Sequence, residues 1–285
     1  MSNDNEQPIG VFDSGVGGLS VLRALRAELP HERFVYLADN GFAPYGERGD
    51  AFVAARTHAI AEYLLHTQGI KALVVACNTA TAAAIHEVRA RYPGLPLVGV
   101  EPALKPAVAA TRTGRVGVIG TRGTLTSAKF ARLLASLQVQ AEFVVQPCDG
   151  LAYAIERATL ALQGDAGEVQ ALCARYLGAM GSFGTGAGSI DTLVLGCTHY
   201  VFAEDVLRGL TGPGVRLIET GEPVARQTRR LLHQAGLLAP GSGCAPPMLL
   251  TTGDLDLLRT AATRWLQLPA DHCSAVDVPL PAQAA

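Results

Sequence analysis

The chain has 285 residues, and its 23 Lys and Arg against 25 Asp and Glu leave a net charge of -2. That balance excludes a protein that coats nucleic acid, whose footprint is a basic excess. Hydrophobic residues make up 49% and charged ones only 17%, so the chain can bury a large core and global disorder is excluded.

No apolar run reaches the ~18–20 residues that cross a bilayer. The first residues, Met-Ser-Asn-Asp-Asn-Glu-Gln, are polar and acidic, unlike a secretory leader. A cytoplasmic protein with neither a membrane nor a nucleic-acid partner is expected. Six cysteines stand at 77, 148, 173, 197, 244 and 273. None form a C-x-x-C pair, so a zinc ribbon or thioredoxin site has no support.

Short apolar runs alternate with helical stretches. Residues 9–12 predict a buried strand, 19–29 a helix stopped by Pro30, and 34–38 a strand. An amphipathic helix follows over 51–68 with Gly69 as its cap, then a strand at 73–76, a helix at 79–91 and a strand at 97–100. After Glu101-Pro102 the pattern restarts, with a strand at 116–119, a helix at 127–137 and a strand at 141–145. Two helices are expected within 151–179. Five glycines between 178 and 188 predict a flexible connection, and 193–195 is a strand running into Gly196-Cys197. The stretch 223–238 is helical, 240–247 a surface loop and 254–266 a last helix. The tail from Pro269 is expected to be poorly ordered. Strands alternating with helices predict an α/β fold with mainly parallel sheets covered on both faces.

A weak internal repeat accompanies this pattern. Val74-Val75-Ala76-Cys77 and Val194-Leu195-Gly196-Cys197 each close an apolar strand on a cysteine. Two similar α/β units explain the match; chance likeness between buried strands is the alternative.

Three features can carry chemistry. Gly15-Val16-Gly17-Gly18 follows a strand and opens a helix, but Ser20 stands where a dinucleotide fingerprint needs its last glycine. With Asp13 placing negative charge beside the turn, a nicotinamide cofactor is not expected, although Asp39 mimics a ribose-binding acid. The turn instead reads as a cradle of N–H groups for a carboxylate, or simply as a tight strand-to-helix turn.

Cys77 and Cys197 lie at strand ends, where open α/β sheets bind ligands, and Cys77 begins a helix whose dipole favours a thiolate. Cys148, Cys173, Cys244 and Cys273 lack that setting and read as filler. His199, two residues after Cys197, is predicted to share its side of an extended segment. Cys-x-His is also half a metal site, but no second ligand pair has suitable spacing, so no metal is expected. Asp13 and Ser14 are either a helix cap or site residues. No lysine lies in these blocks to anchor pyridoxal, so no cofactor is expected. Two rival readings stay open. A cysteine hydrolase with His199 as base leaves Cys77 idle, and an amino-acid-binding module leaves both thiols unused.

The blocks Asp13-Ser14-Gly15-Val16-Gly17-Gly18-Leu19, Ala43-Pro44-Tyr45-Gly46, Ala76-Cys77-Asn78-Thr79-Ala80 and Leu195-Gly196-Cys197-Thr198-His199-Tyr200 resemble, in order, the signature blocks of the glutamate racemases. The similarity spans roughly residues 8–265. It implies cofactor-independent interconversion of L- and D-glutamate, supplying D-glutamate for peptidoglycan. It also implies two pseudo-symmetric α/β domains with the site between them, one formed by 1–99 with 211–285 and the other by 100–210. A homodimer is a further expectation.

By this resemblance Cys77 and Cys197 are the acid/base thiols, with Cys77 taking the proton from D-glutamate and Cys197 from L-glutamate. Asp13 assists Cys77 and His199 assists Cys197. Ser14, Tyr45, Gly46, Asn78, Thr79 and Thr198 bind substrate; for such chemistry, backbone donors at Gly17, Gly18, Asn78 and Thr79 are expected to stabilise charge growing on the α-carboxylate. Glu156 matches a family acid near the site, although its flanking block 148–151 departs from the common pattern. Asn40-Gly41-Phe42 stands where the family usually has Thr-Ala-Arg, and Ile218-Glu219 where many members have Ile-Asp.

Overall fold

A computed structural model describes residues 4–160, 166–241 and 246–280. The first half of the chain runs β1 (Ile9–Asp13), α1 (Leu19–Glu28), β2 (Phe34–Ala38), α2 (Asp50–His66), β3 (Ala72–Val75), α3 (Asn78–Arg91), β4 (Leu97–Gly99) and α4 (Leu104–Ala110). It continues with β5 (Arg115–Gly120), α5 (Arg122–Leu125), α6 (Ala128–Ala135), β6 (Glu142–Pro147), α7 (Leu151–Leu160), α8 (Ala166–Gly178) and β7 (Thr192–Gly196). The last part holds α9 (Glu204–Thr211), β8 (Arg216–Ile218), α10 (Gly221–Ala235), β9 (Met248–Thr251), α11 (Leu255–Leu266) and β10 (Cys273–Ala275). Among the described residues, no helix is long and apolar enough to cross a membrane.

The strands form two parallel sheets, ordered β10-β9-β2-β1-β3-β4 and β6-β5-β7-β8. The core of the first, β2-β1-β3-β4, has the same order as the whole of the second. In each, the chain leaves the central strand (β1 or β5) for one neighbour and returns to the other side. The gap at that reversal is where open α/β sheets bind ligands, and it is bordered by Asp13 and Cys77 in one sheet and by Thr121 and Cys197 in the other.

Strands β1, β2, β3 and β7 are buried at every position, as parallel strands covered on both faces must be. Successive side chains serve opposite faces. Val11 packs with Leu22, Leu25 and Val224 of α1 and α10, whereas Phe12 packs with Ile60, Leu64 and Ile85 of α2 and α3. The second sheet repeats this with separate clusters around Leu193 and Val194.

Three expectations need correction. The tail after Pro269 is not loose: β10 pairs with β9, which pairs with β2, and Cys273 and Val278 are buried. The glycine-rich stretch is a hydrogen-bonded loop, in which Ile190 and Ser182, and Gly184 and Ile190, are joined through the backbone. Its Gly181, Gly184 and Gly188 have φ of 102°, 149° and 78°, so they supply turns that side chains resist rather than slack. Finally, β8 pairs with β7, so the second sheet extends past residue 210 to Ile218. Within the expected surface loop, 242–245 lie outside the described residues, and Cys244 with them.

Candidate active site

The ends of β1, β3 and β7, the turn at Tyr45–Glu47 and the start of α7 enclose a cleft of about 620 Å³ of empty space, part of it open to solvent. It is lined by Asp13, Ser14, Tyr45, Gly46, Cys77, Asn78, Thr79, Glu156, Cys197, Thr198 and His199, the residues expected at the site apart from the glycine turn at 15–18. Thr121, Arg122, Asp149 and Tyr153 complete its rim. No motif marks Thr121, Arg122 or Tyr153, and Asp149 falls in the 148–151 block that departs from the family pattern.

Cys77 is the N-cap of α3, its sulfur 3.5 Å from the backbone N–H of Ala80. The thiol donates to the Ser14 hydroxyl at 3.6 Å. Burial, then the neighbouring Asp13 carboxylate, pushes this thiol far above its ordinary range, against the pull of the Ala80 N–H and Ser14. Asp13 is wholly buried. Its Oδ1 accepts from the Ser14 N–H at 2.7 Å and its Oδ2 from the Thr198 hydroxyl at 2.8 Å. Burial still raises its pKa, opposed by the charge of His199 and by these hydrogen bonds.

Cys197 lies at the end of β7, and the chain then turns through a 3-10 segment, Thr198–Ala203. His199 therefore meets Cys197 across a turn rather than along an extended segment, with Nδ1 3.8 Å from the sulfur. Its Nε2 lies 2.8 Å from Glu156 Oε2. Burial alone would lower the histidine pKa. The hydrogen bonds to Cys197 and Glu156, and then the charge of Glu156, outweigh it and hold the imidazole well above its usual value. Glu156 thus sits directly behind His199, on α7.

Asn78 is 5% exposed and neither of its amide atoms has a partner among the described residues. An unpaired buried amide costs ~1–3 kcal/mol, and this one lines the cleft, ready for a ligand that offers both a donor and an acceptor. The Thr79 hydroxyl shares a 3.0 Å hydrogen bond with Thr121 across the cleft.

Two expected binding features differ in detail. The Tyr45 ring lines the cleft, but its hydroxyl donates to Asp39. Asp39 is paired with Arg56 at 2.7 Å, both side chains fully buried, and Arg56 also donates to the Val278 carbonyl at 2.6 Å. Asp39 is therefore a strut behind the cleft wall. Gly15–Gly18 do not line the cleft. A Cβ on Gly15 would stand 2.4 Å from Glu156 Oε2, one on Gly17 2.4 Å from His199 Nδ1, and one on Gly18 2.6 Å from the Asp13 Cβ. These glycines let the turn pack against Glu156, His199 and Asp13 and are not a carboxylate cradle. Cys148 reaches the cleft edge with its S–H on the Gln146 carbonyl, while Cys173 is buried behind it. Among the described residues, no group of three or more His, Cys, Asp or Glu side chains converges as a metal site.

The family model described as Asp/Glu/Hydantoin racemase matches residues 17–228. The chain belongs to that family. It is 52% identical to the glutamate racemase of Ectopseudomonas mendocina (strain ymp) over 237 residues, 83% of this chain and 86% of that protein. It is also similar to the crystal structure of the glutamate racemase isoform RacE1 from Bacillus anthracis, with a TM-score of 0.83, 32% identity, and coverage of 97% of this chain and 100% of that one. The glutamate racemase of Francisella tularensis subsp. tularensis SCHU S4, solved with D-glutamate, aligns with a TM-score of 0.80 and 27% identity over 96% of this chain and 98% of that one.

Proposed function

We propose that this chain interconverts L- and D-glutamate, with Cys77 and Cys197 as paired acid/base thiols and no cofactor. The observation that carries the reading is the placement of two thiols at matched strand ends in one cleft, each beside its own titratable partner. Racemisation removes a proton from one face of a carbon and returns one to the other. A single fixed base cannot reach both faces.

From L-glutamate, the Cys197 thiolate takes the α-proton. The C–H electron pair stays on the α-carbon and spreads into its carboxylate, and the Cys77 S–H then protonates the opposite face. Cys77 ends as thiolate and Cys197 as thiol, which is the state that accepts D-glutamate. His199, held protonated by Glu156, offers its N–H to the Cys197 sulfur. Asp13 serves Cys77, and the general acid/base contribution of such groups is about 10²–10⁴-fold. Asn78, Thr79, Ser14 and Thr198 hold the carboxylates and ammonium, and the Tyr45–Gly46 wall closes over them.

The two sheets are read as two domains with the cleft between them, the crossing back to the first falling after β8. The expected cellular role is D-glutamate supply for peptidoglycan in the cytoplasm. Homodimer formation is a further expectation.

Circular dichroism of L- or D-glutamate incubated with the protein tests the reaction. In deuterated water, D-glutamate formed from L-glutamate should carry solvent deuterium while the recovered L-glutamate carries almost none early on. Extensive early labelling of unreacted substrate from both directions would exclude two separate thiols.

A further inference from the structure

The acid/base groups on each side of the cleft are held from the other side. Asp13, beside Cys77, accepts a hydrogen bond from Thr198, which follows Cys197. The reciprocal bond is not at a position the motifs mark. Glu156 stands on α7 beside the second sheet and carries His199 on Oε2, and its Oε1 accepts from the side-chain amide of Asn40, at the end of β2 in the first sheet.

The Asn40 amide is itself oriented, because its Oδ1 accepts from the Thr251 hydroxyl of β9 at 3.1 Å. That leaves only the NH₂ to face Glu156. The carboxylate cannot retreat toward the first sheet, since it packs against the backbone of Gly15 so closely that no Cβ fits there. A continuous chain of contacts thus runs Thr251–Asn40–Glu156–His199–Cys197.

We infer that Asn40 is a positioning residue for the reaction: by binding Glu156 from across the cleft, it fixes the carboxylate that orients His199 on Cys197. The inference rests on the racemase reading above. It assigns to Asn40 a role in proton transfer at one thiol only. A hydrogen bond to a charged group contributes enough that its loss is expected to lower kcat/KM for glutamate about tenfold in Asn40→Ala. Asn40→Asp keeps the volume and an acceptor for Thr251 but sets a second carboxylate against Glu156. Like charges sharing a site repel, so the loss should be larger than in Asn40→Ala.

Primary isotope effects separate positioning from a general structural defect. Slowing only the Cys197 steps makes proton removal from L-glutamate more rate-limiting and removal from D-glutamate less so. In both variants the deuterium effect on kcat/KM should therefore rise with α-deuterated L-glutamate and fall with α-deuterated D-glutamate, measured beside the unaltered protein. Opposed changes of that kind support the inference. Rates within twofold of the unaltered protein, or isotope effects that stay fixed or move together, overturn it. If Asn40→Ala does not fold, the isosteric Asn40→Asp carries the same test. An inactive unaltered protein would instead defeat the racemase reading itself.

Discussion

At the end of β3, Cys77 caps a 14-residue helix and faces a carboxylate; at the end of β7, Cys197 enters a 3-10 turn and faces an imidazole. A helix N-terminus favours a thiolate by ~0.3–1 kcal/mol, up to ~2 in partly buried settings. At Cys77 that pull loses to burial and to Asp13, so the thiol keeps its proton. At Cys197 the neighbour is a histidine whose pKa is raised by its hydrogen bonds to Cys197 and Glu156 and then by the charge of Glu156. The same strand-end plan therefore sets one thiol beside a carboxylate and the other beside an imidazole. Two like sites would compete for one charge state, whereas these two suit a reaction in which one sulfur starts protonated and the other does not.

The sharpest way to break this comparison is to delete either sulfur. Cys77→Ala and Cys197→Ala should each lower racemisation by about 10³-fold or more while the far-ultraviolet circular dichroism stays native. If one variant kept substantial activity, the two sides would not be equal partners.

The next effect falls on stability and on the Cys77 side alone. Arg56→Ala leaves Asp39 buried without its counter-charge, and breaking such a pair costs about 3–5 kcal/mol. Urea unfolding should register that loss. Whatever folded protein remains should bind substrate less well, because Asp39 anchors the Tyr45 wall.

A pH comparison isolates the Cys197 side. The folded pKa of His199 lies above its ordinary 6.5. Its stabilising contribution is therefore complete below that value and is lost as pH rises through the raised one. Unfolding free energies of the unaltered protein and of His199→Gln should converge as pH rises across this window. A gap that widens instead would mean the histidine is neutral in the folded state. The smallest effect belongs to the bystander thiols. Burial pushes Cys148 up to about 12 and Cys173 up to about 11, so neither is poised to ionise at neutral pH. Cys148→Ala and Cys173→Ala should keep most activity and lose about 1 kcal/mol of stability as small buried groups.

Much of this was legible in the sequence where the signal is local. The strand at 34–38 and the helix ending at Arg91 are found at those limits, because continuous apolar runs and a Pro-Gly stop need no partner to be read. The cysteine blocks likewise declare themselves at strand ends. Three-residue strands such as β8 and β10 carry too few residues for a pattern, and only pairing with β7 and β9 makes them strands. The tail therefore read as loose. The glycine turn stays ambiguous in the sequence for a related reason. Its sequence permits both a ligand cradle and a close approach, and only the position of Glu156, more than a hundred residues away, decides between them. Arg56, inside an amphipathic helix, gave no sign that it reaches Asp39 and Val278.

The placement of β9 and β10 has a consequence for synthesis. The second sheet is built from one stretch, 115–218, and can be complete before the first sheet is. Strand β2 leaves the ribosome early, yet its outer neighbour β9 follows more than two hundred residues later. Until then β2 presents a row of unpaired backbone donors and acceptors, the kind of edge that recruits other chains. Arg56 and Asp39 wait equally long for Val278 and Thr252. Strand order thus allows a stage with the enclosed half folded and the enclosing half open along one strand, and the late segments β9 and β10 are the ones that close it.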